Sequence, residues 1–221
     1  MEVRAIDAAA VRELGLTGVL LMENAARGVA DVVQQEFPNV SQVTILCGPG
    51  NNGGDGLALC RQLAAVNIDT SVFLVTGGKS LADDAAVNLK ILTAAGIPPA
   101  CFDDAADAVL TIRSLTKNDL IVDCLLGTGV RGPVKPPFEE MIDAVNASPA
   151  TVIAVDVPSG LNCDDGSVDG ICVRADRTVT FVGLKQGFLV PAANQFLGHV
   201  TVAHIGLPHQ WVADWLNKQR S

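Results

Sequence analysis

With 221 residues, 49% of them apolar, the chain is long enough for one α/β domain over residues 1–221 with a substantial buried core. Its net charge of −9, with no cluster of Lys or Arg able to follow a phosphate backbone, excludes nucleic acid and anionic membrane surfaces as partners. Apolar runs fall short of the roughly 18 residues that a spanning helix needs, and no basic segment followed by an apolar core and a cleavage site opens the chain, so a soluble cytoplasmic protein is expected.

Residues 20–33 (LLMENAARGVADVV) space apolar side chains at helical intervals, with Pro38 beyond them, which predicts a helix laid over a sheet. Short β-branched runs then alternate with helical patterns. Strand Val43–Cys47 is followed by a helix over about 54–65, strand Thr70–Val75 and a helix over about 81–95. Strand 120–126, a helix near Phe138–Ala147, and strands 151–157, 178–182 and 200–205 complete the series.

Continuous apolar strands separated by helices predict a mainly parallel sheet covered on both faces, a Rossmann-like three-layer α/β/α sandwich. The last two strands lack a long helix between them, so that edge is expected to be mixed. Cys47, Cys60, Cys101, Cys124, Cys163 and Cys172 form no CxxC pair, and three lie inside apolar segments, which points to reduced thiols without zinc or disulfides.

In such sheets a ligand sits beyond the carboxyl ends of the strands. Three loops there are rich in Gly, Asn, Asp and Ser. The first, GPGNNGGDG after Cys47, satisfies the GxGxxG spacing of a redox-dinucleotide turn through Gly48, Gly50 and Gly53. That fingerprint also needs a ribose-binding carboxylate at the end of the next strand, and the sequence there reads LVTGG. Asn51, Asn52 and Asp55 add polar groups that a bare phosphate turn does not require; they read either as site residues or as turn and helix-cap residues.

In the second loop Asp123 precedes GTGVRG, whose backbone N–H groups suit phosphate; Arg131 reads either as a phosphate contact or as a surface residue on a turn. The third, VDVPSGLN, places Asp156 and Ser159 at another strand end, as site residues or as caps. Oxygen donors from Asn, Asp and Ser, without His or Cys, favour a hard or monovalent cation over zinc or iron. Any anionic ligand would be held by backbone N–H groups at helix starts.

With LMENAARG (residues 21–28), GPGNNGGDG (48–56), DCLLGTGVRG (123–132), AVDVPSGLN (154–162), TVTFVGLKQG (178–187) and HIGLP (204–208) in order along the chain, the sequence resembles the NAD(P)H-hydrate epimerase family, the YjeF N-terminal domain. The resemblance implies interconversion of the two C6 epimers of hydrated NADH or NADPH (NADHX, NADPHX), a bound K+, a homodimer, and a separate NAD(P)H-hydrate dehydratase as functional partner. Carried over by motif, Asn51, Asn52, Gly53, Gly54 and Asp55 would line the nucleotide, together with Gly127, Thr128, Gly129, Val130, Arg131, Gly132 and Pro133. Asp156 would sit at the hydrated ring as the catalytic group. Asn52, Asp123 and Ser159 would hold the ion. Lys185 is a further site candidate, set against the exposed position this residue type usually takes. Family members commonly carry an acidic residue where this chain has His204, which reads as a neutral histidine at a strand end.

Epimerising a carbon that bears a hydroxyl beside nitrogen can proceed by loss of water to an iminium ion and readdition from the other face. One group must then give and take a proton, for which Asp156 in a partly desolvated loop is suited. Two other classes compete: a non-catalytic binding module of the same fold, and an NAD-dependent oxidoreductase, which would need the missing ribose carboxylate.

Overall fold

The computed structural model describes residues 3–218. In chain order the elements are α1 (Val3–Leu14), α2 (Gly18–Glu36), β1 (Val43–Cys47), α3 (Asn51–Ala64), β2 (Thr70–Val75), α4 (Asp83–Ala94), β3 (Ala100–Phe102) and α5 (Ala106–Ser114). They continue with β4 (Leu120–Cys124), α6 (Phe138–Ala147), β5 (Thr151–Val155), β6 (Arg177–Phe181), α7 (Asn194–Leu197), β7 (His199–Ala203) and α8 (His209–Lys218). The sheet runs β3-β2-β1-β4-β5-β6-β7, and every neighbouring pair is parallel.

Both faces of the sheet are covered, so its two central strands, β1 and β4, are buried at every position and apolar at all but Thr44 and Asp123. Val43, Ile45 and Cys47 of β1 pack with α2, α3 and α4, whereas Leu46 faces the core shared with α5 and α6. The period of two sorts one strand between two cores and gives the three-layer sandwich. A third cluster joins the chain's two ends: Ile6 and Ala9 of α1 pack with Trp215 of α8, against Val182 and Leu207. Among the described residues no helix is long and apolar enough to cross a membrane. All six cysteines are free, and burial pushes the Cys47 and Cys124 thiols well up, which leaves them as packing groups.

The expected mixed edge is wrong: β7 lies parallel to β6, from Arg177 opposite His199 to Phe181 opposite Ala203. A parallel pair needs a crossover of a dozen or more residues. Residues 182–198 supply it with 3-10 turns at Gln186–Leu189 and Pro191–Ala193 and the single turn of α7, none of which carries a helical pattern long enough to read. The sequence reading also omits α1, β3, α5 and α8.

Helix α3 lies so close to the sheet that a methyl group on Gly56 would stand 2.7 Å from Cys47 Sγ and 2.9 Å from Cys124 Cβ. Gly56→Ala should therefore lower stability by about 1–3 kcal/mol, overpacking outweighing a helix-propensity gain of about 1 kcal/mol. The denaturant midpoint measures this, and an unchanged or higher midpoint would show that the helix has room to move.

Candidate active site

From β1 the chain steps outward to β2 and β3, then returns to β4 on the other side of β1. The helices that follow β1 and β4, α3 and α6, run to opposite faces of the sheet at this reversal, which opens a crevice at the strand ends. A pocket of about 860 Å³ lies there, walled by the loops after β1, β2 and β4, the start of α3 and one face of α1.

The first loop turns within a very small space. A Cβ on Gly48 would stand 1.9 Å from the Leu125 carbonyl oxygen, and one on Gly53 would stand 1.8 Å from the carbonyl oxygen of Gly48. Hydrogen at Gly48 lets the β1 and β4 loops lie against each other, and hydrogen at Gly53 lets the β1 loop fold back on itself. The turn is tighter than the sequence reading has it, because α3 starts at Asn51 rather than near residue 54. Its N-cap is Gly50, with no side-chain cap bond, so the first backbone N–H groups of a 14-residue helix face the pocket wall at Asn51 and Asn52. Asp55 is one turn inside the helix and does not cap it.

Asn52, Asp123 and Ser159 meet in one network. Asp123 is fully buried, and its carboxylate accepts from the Leu125 N–H at 3.2 Å, the Ser159 N–H at 2.8 Å and the Ser159 hydroxyl at 2.6 Å. Ser159 Oγ in turn accepts from the Leu126 N–H at 2.8 Å, and Asn52 Nδ2 donates to the Leu126 carbonyl at 2.9 Å. Ser159 is thus tied to a neighbouring strand end and does not act as a cap. Burial lifts the Asp123 carboxyl to about 6, against the lowering effect of its bonds from Ser159 and Leu125. Asn52 Oδ1 is buried and has no hydrogen-bond partner. An orphaned acceptor beside a buried carboxylate and a carbonyl is an all-oxygen donor set, which an oxygen-bound cation would satisfy. Among the described residues no group of three or more His, Cys, Asp or Glu side chains forms a metal centre.

Asp156 follows β5 in the left-handed region at φ 62°, a conformation that Asp tolerates better than most residues. That turn takes the chain sharply off the strand end. Its Oδ1 receives Lys185 Nζ at 2.5 Å, the Thr180 hydroxyl at 3.2 Å and the Phe181 N–H at 3.3 Å. Lys185 is 1% exposed, so the usual surface position does not apply to it; its ammonium also donates to the Phe181 carbonyl at 3.1 Å. A buried ammonium is tolerable because it is paired and hydrogen-bonded.

Two more carboxyl groups feel this pair, and sequence reasoning missed one of them. Asp55 is held well above the usual carboxylate range by burial first, then by the charges of Asp156 and Asp7, with Lys185 opposing. Asp7, on α1, is raised to about 6 by burial and by Asp156, again with Lys185 opposing. Asp7, Asp55 and Asp156 all line the pocket. The helical pattern of α1 was present in RAIDAAAVREL, but nothing in that alanine-rich stretch marks Asp7, rather than Glu13, as the acid turned inward.

The remaining candidates divide. Asn51, Gly127, Thr128, Gly129, Val130, Arg131, Gly132 and Pro133 line the pocket. Gly53 and Gly54 do not; they are packing positions, Gly54 lying against Met22 and Ala85. Arg131 is committed to its own loop, donating to the carbonyls of Thr128 and Val130 and pairing with Asp164 at 2.6 Å. Lys79 and Lys135, which the sequence reading did not single out, bring positive charge to the pocket instead. His204 is exposed just after β7 and takes no part in the lining.

The protein-family model described as YjeF-related protein N-terminus matches residues 19–187. Among curated relatives, the NAD(P)H-hydrate epimerase of Rhodopirellula baltica is 39% identical, over 93% of this chain and 82% of that protein. The NAD(P)H-hydrate epimerase of Pirellula staleyi is 38% identical, over 93% and 90%. The bifunctional NAD(P)H-hydrate repair enzyme Nnr of Thermofilum pendens is 36% identical, over 96% of this chain but 40% of its own length. The crystal structure of yeast ynu0 shares the fold with a TM-score of 0.78 at 23% identity, over 97% of this chain and 89% of that one. The chain belongs to the YjeF-related protein N-terminus family.

Proposed function

We propose that the pocket at the tips of β1, β4 and β5 is where this chain carries out its reaction, the epimerisation of hydrated NADH and NADPH at C6. The activity is that of its full-length relatives. The placement rests on one observation above all: three carboxyl groups, Asp7, Asp55 and Asp156, line a pocket large enough for a nucleotide, and one of them, Asp156, is paired with a buried ammonium. A pure binding module has no physical use for such a cluster. An oxidoreductase would need a ribose carboxylate at the end of β2, where Lys79 lines the pocket instead.

In this reading the phosphates of the substrate lie against the N-terminus of α3 and the glycine-rich loop of residues 127–133, with Lys79 and Lys135 adding charge. The hydrated ring lies at Asp156. The C6 hydroxyl takes a proton and departs as water, the ring nitrogen forms the iminium, and water returns from the other face while giving up a proton. Lys185 holds the Asp156 carboxyl through Oδ1. Asn52, Asp123 and Ser159, with the Leu126 carbonyl, are the residues that would hold K+. A fixed cation there supplies charge that steadies the Asp123 carboxylate and the β4 loop. A separate dehydratase would consume the product.

The direct test incubates the purified protein with one epimer and follows the other by chromatography. Asp156→Asn should reduce the rate at least about 100-fold with the fold retained by circular dichroism; an unimpaired variant would remove Asp156 from the chemistry. The rate should also depend on K+ at constant ionic strength. Asn52→Ala and Asp123→Ala should raise the K+ concentration needed by about tenfold or more, equivalent to about 1.4 kcal/mol of lost binding. A wild-type rate indifferent to replacing K+ by a large organic cation would sink the ion assignment.

A further inference from the structure

Asp7 lies outside the matched family span of residues 19–187, on the first described helix. Its Oδ1 is buried and has no hydrogen-bond partner, yet the residue lines the pocket beside Asp55 and Asp156. Helix α1 is not free to turn this acid outward, because Ile6 and Ala9 flank it in the cluster that α8 closes with Trp215. A carboxyl oxygen pinned in a binding pocket without a partner awaits one from the ligand.

We propose that Asp7 is a second proton carrier of the epimerisation, paired with Asp156 across the reacting carbon. This rests on the epimerase reading of the pocket. Inversion moves the oxygen between two faces of the ring, and two carriers on different elements divide that work. As the C6–O bond breaks, its electron pair leaves on oxygen, the proton of Asp7 completes the departing water, and the N1 lone pair forms the C6=N1 bond. A water oxygen then bonds to C6 from the opposite face. The C=N pair returns to N1, and the Asp156 carboxylate takes the surplus proton. The net change is one proton moved from Asp7 to Asp156, with no oxidation or reduction, and the reverse epimerisation starts from that state. Exchange with solvent at the pocket, which Asp7, Asp55 and Asp156 line, resets the pair.

Two carriers sharing one proton make kcat/KM bell-shaped in pH, with the same profile in both directions. The titratable groups bearing on Asp7 are Asp55, Asp156 and Lys185. The experiment measures kcat and KM for each epimer between about pH 5 and 9. Asp7→Asn should lower kcat about 100-fold or more, change KM less than about threefold, and abolish one limb of the bell. Asp7→Glu should keep both limbs with one displaced. Asp55→Asn should displace the limbs without abolishing either.

Folding is controlled by melting. Asp7 is raised from 3.8 to about 6 in the folded chain, so the wild type loses stability as pH rises through that interval and stays less stable above it. Asp7→Asn escapes that penalty and should melt at or above the wild-type temperature near pH 8. If it fails to fold, the Asp7→Glu profile decides: a displaced limb supports the proposal, and an unmoved profile overturns it. A wild-type bell retained in Asp7→Asn, or a limb lost in Asp55→Asn instead, also overturns it. Wild type inactive toward both epimers would instead defeat the epimerase reading, whereas active wild type with inactive Asp156→Asn and active Asp7→Asn defeats only the role of Asp7.

Discussion

One ammonium group organises the strand tips. Lys185 is buried, and an unpaired charge in that position would be strongly unfavourable, by several kcal/mol even after relaxation. Its partner must therefore be brought to it, and the backbone concedes to this need. Asp156 takes a positive φ, β6 presents the Phe181 carbonyl, and the crossover to β7 folds back over the sheet end so that residue 185 points inward. Asp55 from α3 and Asp7 from α1 then enter a field already set by that pair. With three carboxyl groups and one cation close together and partly desolvated, full ionisation would leave an uncompensated excess of negative charge. Protons stay on Asp7 and Asp55 to higher pH than in water, which is the condition a proton-transfer site requires.

The second constraint is steric and lies at the reversal of strand order. The β1 and β4 loops can approach because Gly48 offers no side chain to the Leu125 backbone, and the β1 loop can turn because Gly53 offers none to Gly48. That approach places the Leu126 carbonyl against Asn52 and brings Ser159 from β5 onto Asp123. The oxygen-lined network and the acid cluster thus share one cause, the convergence of three neighbouring strand ends at the point where the sheet topology opens a crevice.

Much of this was legible in the residues, for identifiable reasons. Strands buried on both faces must be largely apolar, so β1, β4 and β5 stand out, and loops that turn in little space must be glycine-rich, so the crevice stands out as well. Partners remote in sequence were not legible. Nothing local shows that Lys185 is buried against Asp156, that Arg131 is engaged by Asp164, or that Asp7 faces the pocket. Each depends on a crossover or a terminal helix whose path is set by packing. β3 has three residues and α7 four, too few for periodicity to register, and the parallel edge was hidden because 3-10 turns make its crossover.

A cluster that holds acids above their usual range lowers the stability of the folded chain at neutral pH, and this bears on why it is there. Hydrated nicotinamide is uncharged at the ring, whereas the iminium formed on losing water is cationic. A site whose carboxyl group turns negative as it gives its proton to the departing water therefore favours the high-energy species over the substrate, which is the differential binding that accelerates a reaction. The negative phosphates of the same substrate would be repelled by such a site unless they were held elsewhere. The α3 N-terminus, Lys79 and Lys135 provide that separate footing within one pocket. A chain of net charge −9 can thus hold an anionic nucleotide by one end and stabilise a cation at the other, because backbone N–H groups and desolvated carboxyls act locally and do not respond to the overall charge.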